Sequence, residues 1–161
     1  MNYKGFTLIE LVMVIVLVAI IAAFVAPRLP NVTTTNAGAF ADKLRADIRY
    51  AQNLAMTRNQ RYRVYFNTAP APTPDGYAAV NDSNADGWGA TGANEFAQDP
   101  AGGGNLSIIL NAGNYAGITV STPAGGFIEF NSLGVPTAAA TITITPGGQQ
   151  VTITTQTGAV N

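Results

Sequence analysis

From Phe6 to Ala26 the chain runs for 21 residues with only Thr7 and Glu10 clearly polar, and from Leu11 to Ala26 sixteen apolar residues follow without a break. No other feature constrains the fold as strongly. At ~1.5 Å per residue a 21-residue helix spans roughly 31 Å, close to the hydrocarbon thickness of a bilayer. The stretch is apolar on every side, and the remaining chain is too small to enclose it as a core helix. A removable secretory signal would have a shorter apolar region and an A-x-A-like cleavage site. No A-x-A occurs between Ala19 and Pro30. The pattern therefore predicts a retained membrane helix over residues 6–27, with the large polar remainder on one side of the bilayer.

Glu10 is the exception inside that stretch. An ionised carboxylate at membrane depth costs several kcal/mol unless it is paired or near the interface. Glu10 lies only ~6 Å along the helix from Phe6, so a position at headgroup level is one reading. The other is a buried ion pair. No Lys or Arg lies between Phe6 and Ala26, so the cation for such a pair must come from elsewhere.

The run K-G-F-T-L-I-E at residues 4–10, followed by the apolar stretch to residue 29, resembles the class III signal of type IV pilins and type II secretion pseudopilins. The resemblance implies a prepilin peptidase that cuts on the cytoplasmic side between Gly5 and Phe6 and removes residues 1–5 as a leader. It implies methylation of the new amino group on Phe6. It also implies that Glu10 meets the positive N-terminus of a neighbouring subunit in a filament core, where a paired buried charge specifies register. Pro27 falls where many pilins carry a helix-disrupting proline, and Pro30 adds a second break.

The chain has no cysteine and no histidine, which removes the commonest thiol, imidazole and zinc chemistries. Its serines have no histidine to act as base. No enzyme activity is expected. The net charge of −1 hides an asymmetry. All eight basic residues lie at or before Arg63, giving residues 1–63 a charge of +5, and the rest of the chain carries six acids and no base. Arg58, Arg61 and Arg63 beside Tyr62 and Tyr65 form the basic and aromatic mixture that nucleic-acid binding uses. A charge of −6 on the chain that follows opposes phosphate approach, so solvated strand positions or salt bridges to neighbouring subunits are expected instead.

Residues 31–38, NVTTTNAG, read as a loose joint or a strained continuation of helix. From Ala39 the helical period resumes. Phe40, Leu44, Ile48, Ala51 and Ala55 share one face, widened by Leu54. Lys43, Arg45, Asp47 and Arg49 lie largely away from it, and Lys43 and Asp47 form an i,i+4 pair. The helix is expected to stop at 58–60. Tyr62, Val64 and Phe66 then alternate as in a half-buried strand, and Tyr77–Val80 forms a short one. Four more strands are expected at 106–110, 118–121, 127–130 and 140–145. The last meets VTITT across PGGQQ in a hairpin that puts Ile142, Ile144, Val151 and Ile153 on one face.

Within the broader superfamily, residues 40–67 and 127–160, the latter with the closing VTITTQTGAV, resemble the H-type minor pseudopilins of type II secretion, together with FimT- and FimU-like minor pilins and minor subunits of mannose-sensitive haemagglutinin pili. The fold so implied is α+β and pilin-like, a long N-terminal helix packed on an antiparallel sheet. It divides into the leader 1–5, the transmembrane helix 6–27, a linker and amphipathic helix 28–60, and a β-rich head 61–161. The implied function is that of a minor subunit near the tip of a pilus or pseudopilus. Its partners would be other pilin or pseudopilin subunits, the peptidase and an inner-membrane assembly platform. Its N-terminus would be cytoplasmic and its head periplasmic. The alternatives are a major subunit of the fibre body, which in these families usually carries a C-terminal disulfide, and a tip module that binds DNA or a surface ligand.

One further motif is DSNADG at 82–87, the opening of an EF-hand-type loop. Asp82, Asn84 and Asp86 would supply oxygens to Ca²⁺, with Gly87 for the turn. The acid expected at the twelfth loop position is replaced by Ala93. An Asx-rich turn that satisfies its own backbone is the competing reading. Major pseudopilins, which the chain resembles in its anchor, bind calcium.

Overall fold

A computed structural model of the chain describes residues 5–25, 32–83, 88, 95–156 and 158–161. The chain divides into two compact units, residues 1–31 and residues 32–161. The first contains helix α1, Leu8–Val25. At ~1.5 Å per residue its 18 residues reach about 27 Å, a little short of the ~30 Å of a bilayer's hydrocarbon core. Among the described residues no helix is long and apolar enough to cross a membrane.

The second unit is the head. It begins with α2, Val32–Arg58. Seven β-strands follow: β1 Tyr62–Phe66, β2 Gly76–Asn81, β3 Ser107–Ile109, β4 Thr119–Val120, β5 Phe127–Phe130, β6 Ala140–Thr145 and β7 Gln149–Ile153. They form the expected antiparallel β head, as two sheets in the orders β3-β2-β1-β5 and β4-β6-β7.

The helix starts earlier than its polar N-terminal composition suggests. Residues 32–38 are helical, and Ala37 is fully buried in the core. Burial of Ala37 helps to offset the weak helix propensity of the threonines before it, a tertiary override of local preference. The apolar face is as expected. Phe40, Leu44, Ile48, Ala51, Leu54 and Ala55 are all buried. They meet Tyr62, Val64 and Phe66 of β1, Ile128 and Phe130 of β5, Ile142 and Ile144 of β6, and Val151 and Ile153 of β7 in one core cluster. The hairpin expected at the C-terminus is present, with Ile142 opposite Val151 and Ala140 opposite Ile153.

Asp47 does not lie away from the core. It is 6% exposed, and the Tyr77 hydroxyl donates to its Oδ2 at 2.5 Å. Lys43 Nζ reaches the same oxygen at 2.8 Å, which realises the i,i+4 pair. The helical period places Asp47 away from the apolar face, but the hydroxyl offered by a strand thirty residues away draws it inward. A buried carboxylate is tolerated where charge and hydrogen bonds are both supplied.

A second set of polar contacts ties α2 to the end of the chain. Arg45 Nη2 donates to the Gln150 carbonyl at 3.0 Å, and Arg49 Nη2 to the Val160 carbonyl at 2.5 Å. Gln52 Nε2 donates to the Gly134 and Gly158 carbonyls at 2.8 and 3.1 Å. Spaced four and then three residues apart, these side chains form one seam along the helix. Gly158 sits in the left-handed region at φ +63°, and a Cβ there would lie 2.5 Å from Gln52 Nε2 and 3.2 Å from the Gly134 carbonyl oxygen. Asn67 joins the two sheets: its Nδ2 donates to the Val120 carbonyl at 2.9 Å, and its Oδ1 accepts from the Gly76 amide at 3.0 Å.

Two outcomes are expected. Gly158→Ala combines backbone strain with a clash at Gln52 and lowers stability by roughly 1–3 kcal/mol. In urea unfolding this shows as a lower midpoint at unchanged slope. The second concerns alkali. Burial, reinforced by the negative charge of Asp47, raises the Tyr77 hydroxyl well above the ordinary tyrosine range. Burial likewise raises Tyr62, opposed by Arg58. Both groups hold their protons more tightly folded than unfolded, so their stabilising contribution is complete below about pH 10 and is lost as pH rises through the folded values. Phenolate absorbance followed against pH should show these two tyrosines ionising only as the far-UV circular dichroism of the head is lost.

Candidate processing and assembly site

The residues expected to carry processing lie at the start of α1. Gly5 and Phe6 precede the helix and are exposed, Phe6 at 79%. A Cβ at Gly5 would meet nothing within 4 Å, so this chain's own packing does not require glycine there. Thr7 begins the helix: the Glu10 amide donates to Thr7 Oγ1 at 3.3 Å, and the Leu11 amide to the Thr7 carbonyl at 3.2 Å. T-L-I-E at 7–10 thus has the spacing of a capping box, with Glu10 as its third helical residue. This is a second use for Glu10 that the resemblance alone does not suggest. Its charge also sits at the positive end of the helix dipole, within the first turn.

The Glu10 side chain is exposed, and no basic group among the described residues forms an ion pair with it. Around it the helix presents an unbroken apolar surface. Leu8, Ile9, Leu11, Met13 and the aliphatic residues through Ile21 are more than 50% exposed, Val12 excepted at 40%. An amphipathic helix shows one apolar stripe, but α1 shows apolar side chains on all sides. Such a surface requires a non-aqueous surrounding or other helices against it.

The head's arginines each find an acceptor within their own chain. Arg63 lies opposite Glu129 across β1 and β5. Its Nε donates to Glu129 Oε2 at 2.7 Å and its Nη1 to the Tyr65 hydroxyl at 3.1 Å. Burial works against the protonated guanidinium, but the bonds to Tyr65 and Glu129 outweigh it and raise the proton affinity of Arg63. Arg61 Nη1 reaches Glu129 Oε1 at 3.4 Å, and Arg58 Nη1 reaches the Tyr62 hydroxyl at 3.2 Å. With Lys43 on Asp47, Arg45 on Asp42 and Gln150, and Arg49 on Val160, each basic side chain of the described head has an acceptor in the same chain.

Of the residues expected to hold calcium, Asn84 and Asp86 lie outside the described residues. Asp82 is described, just beyond the end of β2. Among the described residues no group of three or more acidic side chains is placed to hold a metal ion.

The comparisons divide along the same line as the two units. Residues 1–26 match the prokaryotic N-terminal methylation motif, and residues 41–159 match the model of the type II transport protein GspH family. No curated protein matches the chain in sequence. Among solved structures, the minor pseudopilin EpsH from the Type 2 Secretion System of Vibrio cholerae is 14% identical with a TM-score of 0.54. That likeness covers 78% of this chain and 94% of EpsH. The type IV minor pilin FimU of Pseudomonas aeruginosa PAO1 is also 14% identical, over 82% of this chain and 91% of FimU, at a TM-score of 0.48. The likeness in fold rests on the first of these and agrees with an α+β head whose helix packs on antiparallel strands.

Burial separates the ion pairs by what they contribute. Glu129→Ala removes a carboxylate that is 8% exposed and leaves Arg63 without its partner; the expected loss is roughly 2–4 kcal/mol. Asp42→Ala breaks an exposed pair and should change stability by less than ~0.5 kcal/mol. Urea midpoints of the two variants test the contrast.

Proposed function

This chain belongs to the type II transport protein GspH family, and on that basis we propose that it is a non-catalytic minor subunit of a pilus-like filament. The methylation motif and the family imply anchoring in the inner membrane with a periplasmic head. In the proposed sequence of events, the prepilin peptidase cuts between Gly5 and Phe6, and the new Phe6 amine is methylated. The chain stays in the membrane as a single-pass protein with its short N-terminus in the cytoplasm. The assembly platform then draws it into a pseudopilus or pilus near the tip.

The observation that carries this reading is the start of α1. An exposed Gly5–Phe6 bond leads into a helix that is apolar all round, with one carboxylate in its first turn and no cation paired to it among the described residues. A terminal amine produced by cleavage, brought by a neighbouring subunit, supplies the charge that Glu10 needs inside a filament. An uncompensated carboxylate in that setting costs several kcal/mol, and this gives the filament a means of selecting register.

Intact and N-terminal peptide mass of the protein from its native membrane tests the proposal. A chain that begins at methylated Phe6 is expected; one that still begins at Met1 in cells with an active prepilin peptidase overturns it. Gly5→Ala should block cleavage while the head keeps its stability, since nothing in the fold crowds that position. Glu10→Ala should leave the chain in the membrane but at least about tenfold depleted from sheared filaments, the equivalent of ~1.4 kcal/mol. The wild-type subunit should itself be scarce in those filaments relative to the body subunit.

A further inference from the structure

β5 is the outer strand of its sheet, and its far edge faces the second sheet across a crevice. The crevice holds about 240 Å³ and is lined by Pro123 and Ala124, by Phe127 and Ile128 of β5, and by Ala138 and Ala139 on the approach to β6. Ala124, Ala138 and Ala139 are exposed, so the crevice opens to the surface, whereas Ile128 and Glu129 at its inner wall are buried. The run of three alanines at 138–140 keeps that side free of long side chains.

The main chain along that edge is only half used. Successive residues of a strand point their amide and carbonyl groups to opposite sides. The Thr137 amide donates to the Glu129 carbonyl at 2.9 Å, so the main-chain groups of Glu129 point away from β1, and those of Phe127, two residues earlier, do the same. Thr137 Oγ1 adds a second contact to that carbonyl at 3.4 Å. The Glu129 amide and the Phe127 carbonyl have no hydrogen-bond partner among the described residues. An amide in a buried strand, facing an apolar crevice, is a group that folded chains rarely leave unpaired. One residue of an extended chain laid beside Ile128 takes both groups at once. Its amide donates to the Phe127 carbonyl and its carbonyl accepts from the Glu129 amide, as in a parallel bridge.

We propose that this edge of β5 receives an extended, uncharged segment of a neighbouring filament subunit, an inference that rests on the filament reading above. The unpaired amide and carbonyl select main chain as the ligand. The alanines admit small apolar side chains, and the one carboxylate at the wall, that of Glu129, is already engaged by Arg61 and Arg63. The size of the site selects a neighbour as the source. Two hydrogen bonds and a contact with a few alanines contribute less than free association costs, so a diffusing partner does not stay bound. A segment already held beside the head by its own anchor escapes most of that cost through its high effective concentration.

Amide hydrogen exchange reads the pairing directly. Exchange of the Glu129 amide is resolved by fragmentation mass spectrometry in the full chain, once in detergent and once in filaments sheared from cells. It should be at least about tenfold slower in the filament. Ala139→Trp fills the crevice from an exposed position. It should erase that difference and lower the subunit's share of sheared filaments at least about threefold, with the urea midpoint in detergent and the methylation of Phe6 unchanged. Ala139→Ser should match the wild type. Equal exchange of Glu129 in detergent and filament, in a chain that begins at methylated Phe6, overturns this inference alone, and so does an Ala139→Trp subunit incorporated at the wild-type level. A chain that still begins at Met1 overturns the filament reading and this inference together.

Discussion

The head depends on one geometric demand placed on α2: a single helix face has to seal two sheets at once. The solution is a graded face. Phe40, Leu44 and Ile48 supply bulk, and Ala37, Ala41, Ala51 and Ala55 let strands approach the helix closely, all of them buried. Phe40 also touches the rings of Tyr77 and Tyr115 at 6.0 and 5.2 Å between centroids, in the tilted and edge-on arrangements that aromatic pairs favour. With no cysteine available, the head's cohesion rests on this burial and on hydrogen bonds rather than on a cross-link.

Polar chemistry completes what the apolar face begins. Asp47 carries a hydroxyl and an ammonium on one oxygen in the core, and the seam of Arg45, Arg49 and Gln52 ties the helix to carbonyls of the last strand and tail. The contrast with α1 is complete. Its apolar residues make no comparable core, and its one carboxylate is at the helix start with an exposed side chain. The two units therefore meet different requirements. The head pairs its basic side chains internally, and the anchor leaves its surface to its surroundings.

How much of this was legible in the sequence follows from the range of the forces involved. The N-terminal methylation motif is a local string over residues 1–26, and it was legible directly. The α2 face and the C-terminal hairpin are set by periods of 3.6 and 2 over short windows, and they also emerged. The inward turn of Asp47, the helical state of residues 32–38 and the pairing of Arg61 and Arg63 with Glu129 all depend on partners distant in sequence. No local pattern encodes them. The alternation in β1 predicted one buried face, yet Tyr65 on the other face is buried too, because Trp88, Phe96 and Phe127 close over it. Asn84 and Asp86 of the expected calcium loop lie outside the described residues, and the leader and Glu10 remain tied to the proposal made for them.

The seam along α2 bears on how such a head can diverge. Arg45, Arg49 and Gln52 address main-chain oxygens at Gln150, Gly134, Gly158 and Val160, and every residue type carries that oxygen. The exposed side chain at 150 is therefore not what the helix recognises, whereas Val160 is held a second time by the burial of its side chain in the core. Substitutions at 150 can accumulate without loosening the attachment, and the helix fixes the path of the last strand while its outward chemistry drifts. Gly134 and Gly158 are restricted instead by their left-handed backbone, at φ +75° and +63°. A lineage built on this plan can change the surface it shows to its partners by ordinary point mutation while its scaffold is inherited intact.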